Sequence, residues 1–364
     1  MHFYHEVFED AMRAKSRFLC LLLALCLLCA GCLAEKEQKK FSAAFYDAFD
    51  TVITVIGYAE SQEAFDEAFA GVKERFLRYH RIFDGYNAYP DVNNLYAVNA
   101  NAGREPTAAE PELIDLLLYM KELQPKLQDR VNVAMGAVLR CWHEHREEGV
   151  SVPDIETLRA LSEHCDFDDV IIDRDAGTVY FADPALSLDL GAVAKGYTAE
   201  IVASWLLTSG MPSFIINAGG NVRCGHKPQD GRERWGVGIQ DPEQSLRGAN
   251  TIKDVAFLTD ISVVTSGDYQ RYYVVDGVYY HHIIDPDTLF PSDFMRQVTV
   301  VTPDSGYADA LSTALFLMPY ETGRAFVDSL PDVEAYWVLK DGTVFFTDGL
   351  APALQSQGAT SGKK

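Results

Sequence analysis

Apolar and polar positions along this chain repeat with periods that predict most of its elements. Phe65, Phe69, Val72, Phe76, Tyr79 and Phe83 step by 4, 3, 4, 3 and 4, the period of a helix with one buried face. Ser61 stands where its N-cap belongs. Ahead of it, Phe41 to Ala59, ending DTVITVIGYA, reads as one strand entering the fold. A polar loop with Pro90 and Asn93-Asn94 precedes a helix near Pro111–Leu123, and a third helix covers Ala134–Glu147. After Pro153 come a short helix and two strands, Asp169–Asp173 and Thr178–Ala182, around Asp175-Ala176-Gly177. A strand at Leu186–Leu190 leads through Gly191 into a helix reaching Leu207. From Ser213 to Val301 strand patterns dominate, with Asp276-Gly277 as a hairpin dipeptide between Tyr/Val runs. The end holds helices at Tyr307–Met318 and Glu321–Ser329, a hairpin around Asp341-Gly342, and a polar tail at Ala351–Lys364. Helices and strands mix without strict alternation, so the fold class is α+β.

The N-terminus reads as an address. Phe18 to Ala30 is an apolar run preceded by Arg13, Lys15 and Arg17, too short to span a bilayer and charged like a secretory leader. It ends in Ala30-Gly31-Cys32, which resembles the lipobox of bacterial lipoproteins, where the cysteine is lipidated and becomes the mature N-terminus. That divides the chain into a signal peptide (1–31), a lipidated tether (32–41), a main domain (42–350) and the tail (351–364). An ordinary signal peptide or short anchor is the alternative. The expected location is extracytoplasmic, lipid-anchored to the bacterial cell membrane. Glu6, Glu9 and Asp10 are out of place in such a leader, whereas a start at Met12 gives a cleaner one.

Charge narrows the partners. The 364 residues carry 31 Lys plus Arg against 53 Asp plus Glu, a net −22. Nucleic acid is excluded as a partner, because phosphate-backbone binding needs a basic face. Any anionic ligand needs local help from a metal, a helix start or a few placed cations. Beyond the leader and Cys32, Cys141, Cys165 and Cys224 remain, neither a disulfide framework nor a zinc spacing. They read as small buried hydrophobes.

Four segments carry candidate chemistry. SLDLGAVAKGYTAE joins a strand, a glycine turn and a helix start; its free N–H groups and Lys195 suit phosphate, although the spacing is not that of a Walker A loop. FIINAGGNVRCG places Gly219-Gly220 between strands, as a turn or bulge. In VVTSGDYQRYY and HHIIDP, Thr265 and Ser266 offer donors, while His282 and Asp285 offer a base and a carboxylate. In YADALSTALFLM, Asp309 and Thr313 stand at i and i+4 on one helix face, hard oxygens suited to Mg²⁺. Each segment alone also fits a purely structural role. His143-Glu144-His145 lacks chelate spacing and reads as solvated surface.

In this order, LDLGAVAKGY, INAGG, TSGDYxxYY, HxIDP and ADALSTAL resemble the FAD:protein FMN transferase (ApbE) family across residues 42–350. The resemblance implies an ApbE-like, T-fold-related architecture of mixed sheets with packed helices. It implies an enzyme that cleaves FAD with Mg²⁺, passes FMN to a Thr or Ser hydroxyl of an acceptor protein, and releases AMP. By similarity the metal sits on the Ala192 carbonyl, Asp309 and Thr313. FAD contacts fall to Phe49, Tyr86, Arg130, Val131, Asn132, Asp189, Lys195 and Val263, and His282 matches the base that deprotonates the incoming hydroxyl. The implied acceptor is a flavoprotein subunit of a membrane redox system with a Ser/Thr-Gly-Ala-Thr site. An FAD pyrophosphatase and a non-catalytic flavin- or solute-binding lipoprotein are the alternatives. This chain departs from the family pattern at Asn132 and Ala137, and at Leu289, where many members have Gly.

Overall fold

Residues 37–248 and 251–362 are described in the structure, a computed structural model. The expected signal peptide, the start at Met12 and the lipidation site Cys32 lie outside the described residues. Strands β1 (Lys39–Ala48) and β2 (Thr51–Ala59) replace the single strand expected over Phe41–Ala59. Phe49 and Asp50 between them have φ of 54° and 49°. This left-handed pair closes a tight turn that no glycine marks in the sequence. Helix α1 (Gln62–Phe83) begins as expected, with Ser61 Oγ accepting the Ala64 N–H at 3.2 Å. Its apolar stripe buries Phe65, Val72, Phe76 and Phe83.

Next come α2 (Leu95–Ala100), β3 (Thr107–Ala108), α3 (Pro111–Leu123), α4 (Gly136–Glu148) and α5 (Ile155–Ser162). Strands β4 (Val170–Asp173) and β5 (Thr178–Phe181) join β3 in a small sheet. The strand expected over Leu186–Leu190 is an extended segment outside any sheet, bridged once to Met135 at Ser187. Backbone bonds pair Ser187 O with the Gly136 N–H and the Asp189 N–H with Val133 O, and a side chain serves the residue between them: Asn99 Nδ2 donates to Leu188 O, and Asn99 Oδ1 accepts the Leu188 N–H, both at 2.9 Å. This segment delivers the chain into α6 (Ala194–Thr208).

Strands β6 (Phe214–Ala218) and β7 (Asn221–Cys224) form a hairpin whose turn is Gly219-Gly220, at φ of 61° and 97°. Two consecutive positive φ values are what a two-residue hairpin turn demands, which accounts for the glycine pair. After β8 (Trp235–Gln240), α7 (Pro242–Leu246) and β9 (Ile252–Leu258) come β10 (Ser262–Gly267), β11 (Tyr272–Val275), β12 (Val278–His281) and β13 (Met295–Thr302). The chain closes through α8 (Ser305–Phe316), α9 (Tyr320–Asp328), β14 (Glu334–Leu339) and β15 (Val344–Phe346).

The main sheet has the order β1-β2-β6-β7-β10-β13-β14-β15, and each pairing from β2 to β15 is antiparallel. Its strands alternate in which face they bury, as period-2 side chains must. In β10, Val264 packs with Leu311 and Leu315 of α8, while its neighbour Val263 joins Trp235 and Val237 on the other face. Helices α1 and α6 cover the β2–β6 end with Phe65, Phe76 and Val202. The fold thus has a helix layer on one face and the β8–β9 hairpin on the other.

The segment read as a polar tail is part of this second layer. Leu354 is fully buried beside Trp235, and Ser356 donates from N and Oγ to the Asp254 carboxylate at 3.1 and 2.5 Å. Leu350, Ala353 and Leu354 supply the apolar surface that docks it, outweighing the polar composition around them. Cys141, Cys165 and Cys224 are free thiols, and burial pushes the Cys224 thiol up to about 12.

Candidate functional site

A cleft of about 1610 Å³ is lined by residues from both sides of the main sheet, and the twelve residues that the family resemblance assigns to the site all line it, whereas Asp285 does not. Its acidic end is built by two helices. Asp304 caps α8, accepting the Tyr307 N–H at 2.7 Å, and so starts the helix that carries Asp309 and Thr313. Asp309 is buried, and its Oδ2 accepts the Gly196 N–H from α6 at 2.8 Å. Lys195 Nζ stands 3.9 Å from the same oxygen and donates to Gly191 O at 3.3 Å. Burial pushes the Asp309 carboxyl up; Lys195, the Gly196 N–H and the nearby Asn221 amide act against it. Asn221 Nδ2 is itself buried and makes no aligned hydrogen bond. Thr313 Oγ1 donates to Asp309 O at 3.3 Å and lies 3.4 Å from Ser266 Oγ. Among the described residues no cluster of three His, Cys, Asp or Glu could hold a metal. What this end offers a hard cation is the Asp309 carboxylate and the Thr313 hydroxyl, and Ala192 lines the same cleft.

His282 follows β12. Its Nδ1 lies 3.2 Å from Arg271 O. A carbonyl can only accept, so the ring proton sits on Nδ1 and Nε2 keeps its lone pair. Burial, then the charges of Arg271, Lys195 and Arg146 together with His281, push this imidazole down to about 3. It retains some surface exposure, yet lies deep enough in the cleft to be held neutral at physiological pH.

Between these ends lie flat and apolar walls. Tyr86 is 39% exposed and donates its hydroxyl to Asp189 Oδ2 at 2.9 Å. Asp189 Oδ1 accepts the Gly191 N–H at 2.7 Å, so one carboxylate holds both the tyrosine and the glycine turn. Phe49 reaches the cleft from the left-handed turn, its ring edge-on to Phe76 and His80. Val131 and Val263 are nearly buried walls. Arg130 is paired with Asp287 at 2.6 Å. The Asn132 amide is already committed, accepting the Ala134 N–H and donating to Cys165 O, both at 2.8 Å. It therefore shapes its loop and offers the cleft little free hydrogen-bonding capacity.

Other residues escaped the sequence reading. His143, expected on a solvated surface, lines the cleft with its ring 4.9 Å from that of Tyr86. Arg146, Arg271 and Asn221 line it too. The signal was available on α4, where Leu139, Trp142, His143 and Arg146 share one helical face.

The ApbE family profile matches residues 49–337. The FAD:protein FMN transferase of Treponema pallidum (strain Nichols) is 32% identical over 346 residues, spanning 91% of this chain and 94% of its own. That of Klebsiella pneumoniae (strain 342) is 32% identical over 282 residues, 73% of this chain and 84% of its own. Among solved structures, the ApbE protein of Thermotoga maritima aligns with a TM-score of 0.77 at 24% identity, over 86% of this chain and 99% of its own. The flavin transferase ApbE from Vibrio cholerae aligns at 0.71 and 22%, over 87% and 99%. These two likenesses establish the α+β fold, and the sequence relatives establish the rest: this chain belongs to the ApbE family of FAD:protein FMN transferases.

Proposed function

We propose that the enzyme transfers FMN from FAD to a Thr or Ser hydroxyl of an acceptor protein, with Mg²⁺, and releases AMP. One observation carries this reading: a buried carboxylate with incomplete charge compensation, Asp309, shares its cleft with an oriented neutral imidazole, His282. Among the described residues the only ammonium close to Asp309 is that of Lys195, 3.9 Å away and beyond hydrogen-bond reach. A divalent cation fits that deficit, and Asp309, Thr313 and the Ala192 carbonyl would hold it. When bound there, Mg²⁺ supplies charge neutralisation for the pyrophosphate.

The protein's own groups do the rest. Phe49, Tyr86, Val131 and Val263 offer walls to the flat rings of FAD, with Arg130, Asn132 and Asp189 framing them. Lys195 adds positive charge near the phosphates. His282 Nε2 accepts the proton of the acceptor hydroxyl as its oxygen attacks the FMN phosphorus. The bond from that phosphorus to the bridging oxygen breaks, and AMP leaves with the electron pair. A base of this kind is worth roughly 10²–10⁴-fold in rate.

The test is to incubate the full chain with FAD, Mg²⁺ and a protein bearing Ser/Thr-Gly-Ala-Thr. Covalent FMN on the acceptor is the expected result. Free FMN with AMP would make the enzyme a pyrophosphatase under these conditions, and intact FAD would overturn both. The apolar leader before Cys32 supports an extracytoplasmic enzyme anchored by lipid to the cell membrane, close to a flavoprotein subunit of a membrane redox system. Cys32→Ser is expected to release the protein from the membrane fraction; unchanged fractionation would refute the anchor.

A further inference from the structure

In a chain of net charge −22, the cleft gathers cations that the steps above leave unused. Helix α4 places His143 and Arg146 one turn apart at the cleft wall, and the segment between β10 and β11 adds Arg271. Arg146 Nη2 donates to His143 Nδ1. That leaves His143 neutral with its proton on Nε2, a third donor in the group. Among the described residues Arg271 Nη2 reaches only the Phe49 carbonyl, at 3.3 Å, while the Arg271 carbonyl holds His282. Among the described residues neither guanidinium has a carboxylate partner, although Glu147 tempers Arg146 from nearby. The other cleft cations differ: Arg130 is paired with Asp287, and Lys195 lies beside Asp309.

Arg146 is partly buried, and its strongest charge interaction is repulsion from Arg271. Two like charges held together without a counterion form an arrangement that an anion would complete. Planar guanidinium forks suit the oxygens of a phosphate, and they adjoin the imidazole that receives the proton. We propose that Arg146 and Arg271, with the His143 Nε2–H, form a phosphate subsite that grips the pyrophosphate of FAD and selects phosphorylated flavins over riboflavin. This inference rests on FAD being the substrate in this cleft.

The test is equilibrium binding of FAD and of riboflavin to the full chain without metal, followed by quenching of flavin fluorescence. The wild type is expected to bind FAD more tightly than riboflavin, with an affinity that falls as salt rises. Arg146→Gln and Arg271→Gln should each weaken FAD roughly 10–100-fold, and riboflavin by less than about twofold. Arg146→Lys should recover part of the loss and part of the salt dependence. Equal FAD affinity in the wild type and both Gln variants overturns the subsite alone. An equal loss for riboflavin also overturns it, because the arginines would then serve the ring or the fold. A wild type that binds neither flavin overturns both the subsite and the proposed function. Should Arg146→Gln fail to fold, Arg271→Gln and Arg146→Lys carry the same comparison.

Discussion

Gly196 donates its backbone N–H to Asp309 Oδ2 at 2.8 Å, joining the first turn of α6 to the buried face of α8. The helices approach so closely that a Cβ on Gly196 would stand 2.2 Å from Ser305 O and 2.5 Å from Asp309 Cβ. The glycine of LDLGAVAKGY and the aspartate of ADALSTAL are therefore one device. Close packing aims the carboxylate, and the N–H compensates part of its charge.

Gly196→Ala should break that device. The obstruction is backbone, which cannot rotate away, so the helices must separate. The expected cost is about 3 kcal/mol or more, at the upper end of overpacking. Chemical denaturation measures it, and a loss well under 1 kcal/mol would mean that α6 and α8 slide freely.

Asp309→Asn keeps the side chain's size and removes its charge. Because burial already holds the Asp309 carboxyl high, the metal-free variant should be at least as stable as the wild type. The wild type should gain stability with Mg²⁺, about 2.7 kcal/mol at a hundredfold excess over Kd, and the variant should not. FMN transfer should fall about 10²-fold or more. Equal Mg²⁺-dependent shifts in melting temperature for the two proteins would move the metal elsewhere.

Much of this was legible because period and glycine placement are local signals. The stripe Phe65 to Phe83 gave α1, and Asp309 with Thr313 lay one turn apart whatever the tertiary fold. The failures are tertiary. Phe49-Asp50 turns left-handed without a glycine, so two strands read as one. The Leu188 backbone is satisfied by Asn99, 89 residues away, which no periodicity announces. Leu354 is buried because the β8–β9 hairpin meets it, although the residues that follow it are polar. Arg146 follows the polar run His143-Glu144-His145, and only the tertiary fold turns its face toward the cleft.

Leu289 occupies a position where the family resemblance leads one to expect Gly, and it does so at φ 63° with its side chain buried. The left-handed backbone costs a non-glycine residue about 1–2 kcal/mol. The side chain offsets this by packing with Trp142 and Ile284, and the Trp142 indole N–H donates to Leu289 O at 2.9 Å. Losing a buried Leu side chain costs about 2–5 kcal/mol, more than the strain it relieves. Leu289→Gly is thus expected to destabilise by about 1–3 kcal/mol. A more stable Gly variant in urea titrations would show that the backbone strain dominates.

His281 and His282 are both held neutral, and that makes folding pH-dependent. His281 Nε2 donates to Ser292 O at 2.8 Å and Nδ1 accepts the Ile283 N–H at 3.2 Å, so neither nitrogen is free to take a proton. Burial pushes its imidazole down to about 4, with Lys340 adding to the shift and Asp293 opposing it. The unfolded state then binds more protons below its own pKa of about 6.5. Stability is full above that pH and lost as pH falls toward the folded value, by an upper limit of about 3 kcal/mol for His281. His282, held down to about 3, adds a second loss that continues further into acid. His281→Gln retains an amide donor for Ser292 but cannot titrate, so its stability between pH 7 and 4 should fall less steeply than the wild type's. Replacing both histidines by Gln should flatten the profile further. Parallel wild-type and His281→Gln profiles in denaturant titrations would show that His281 is free to protonate in the folded protein.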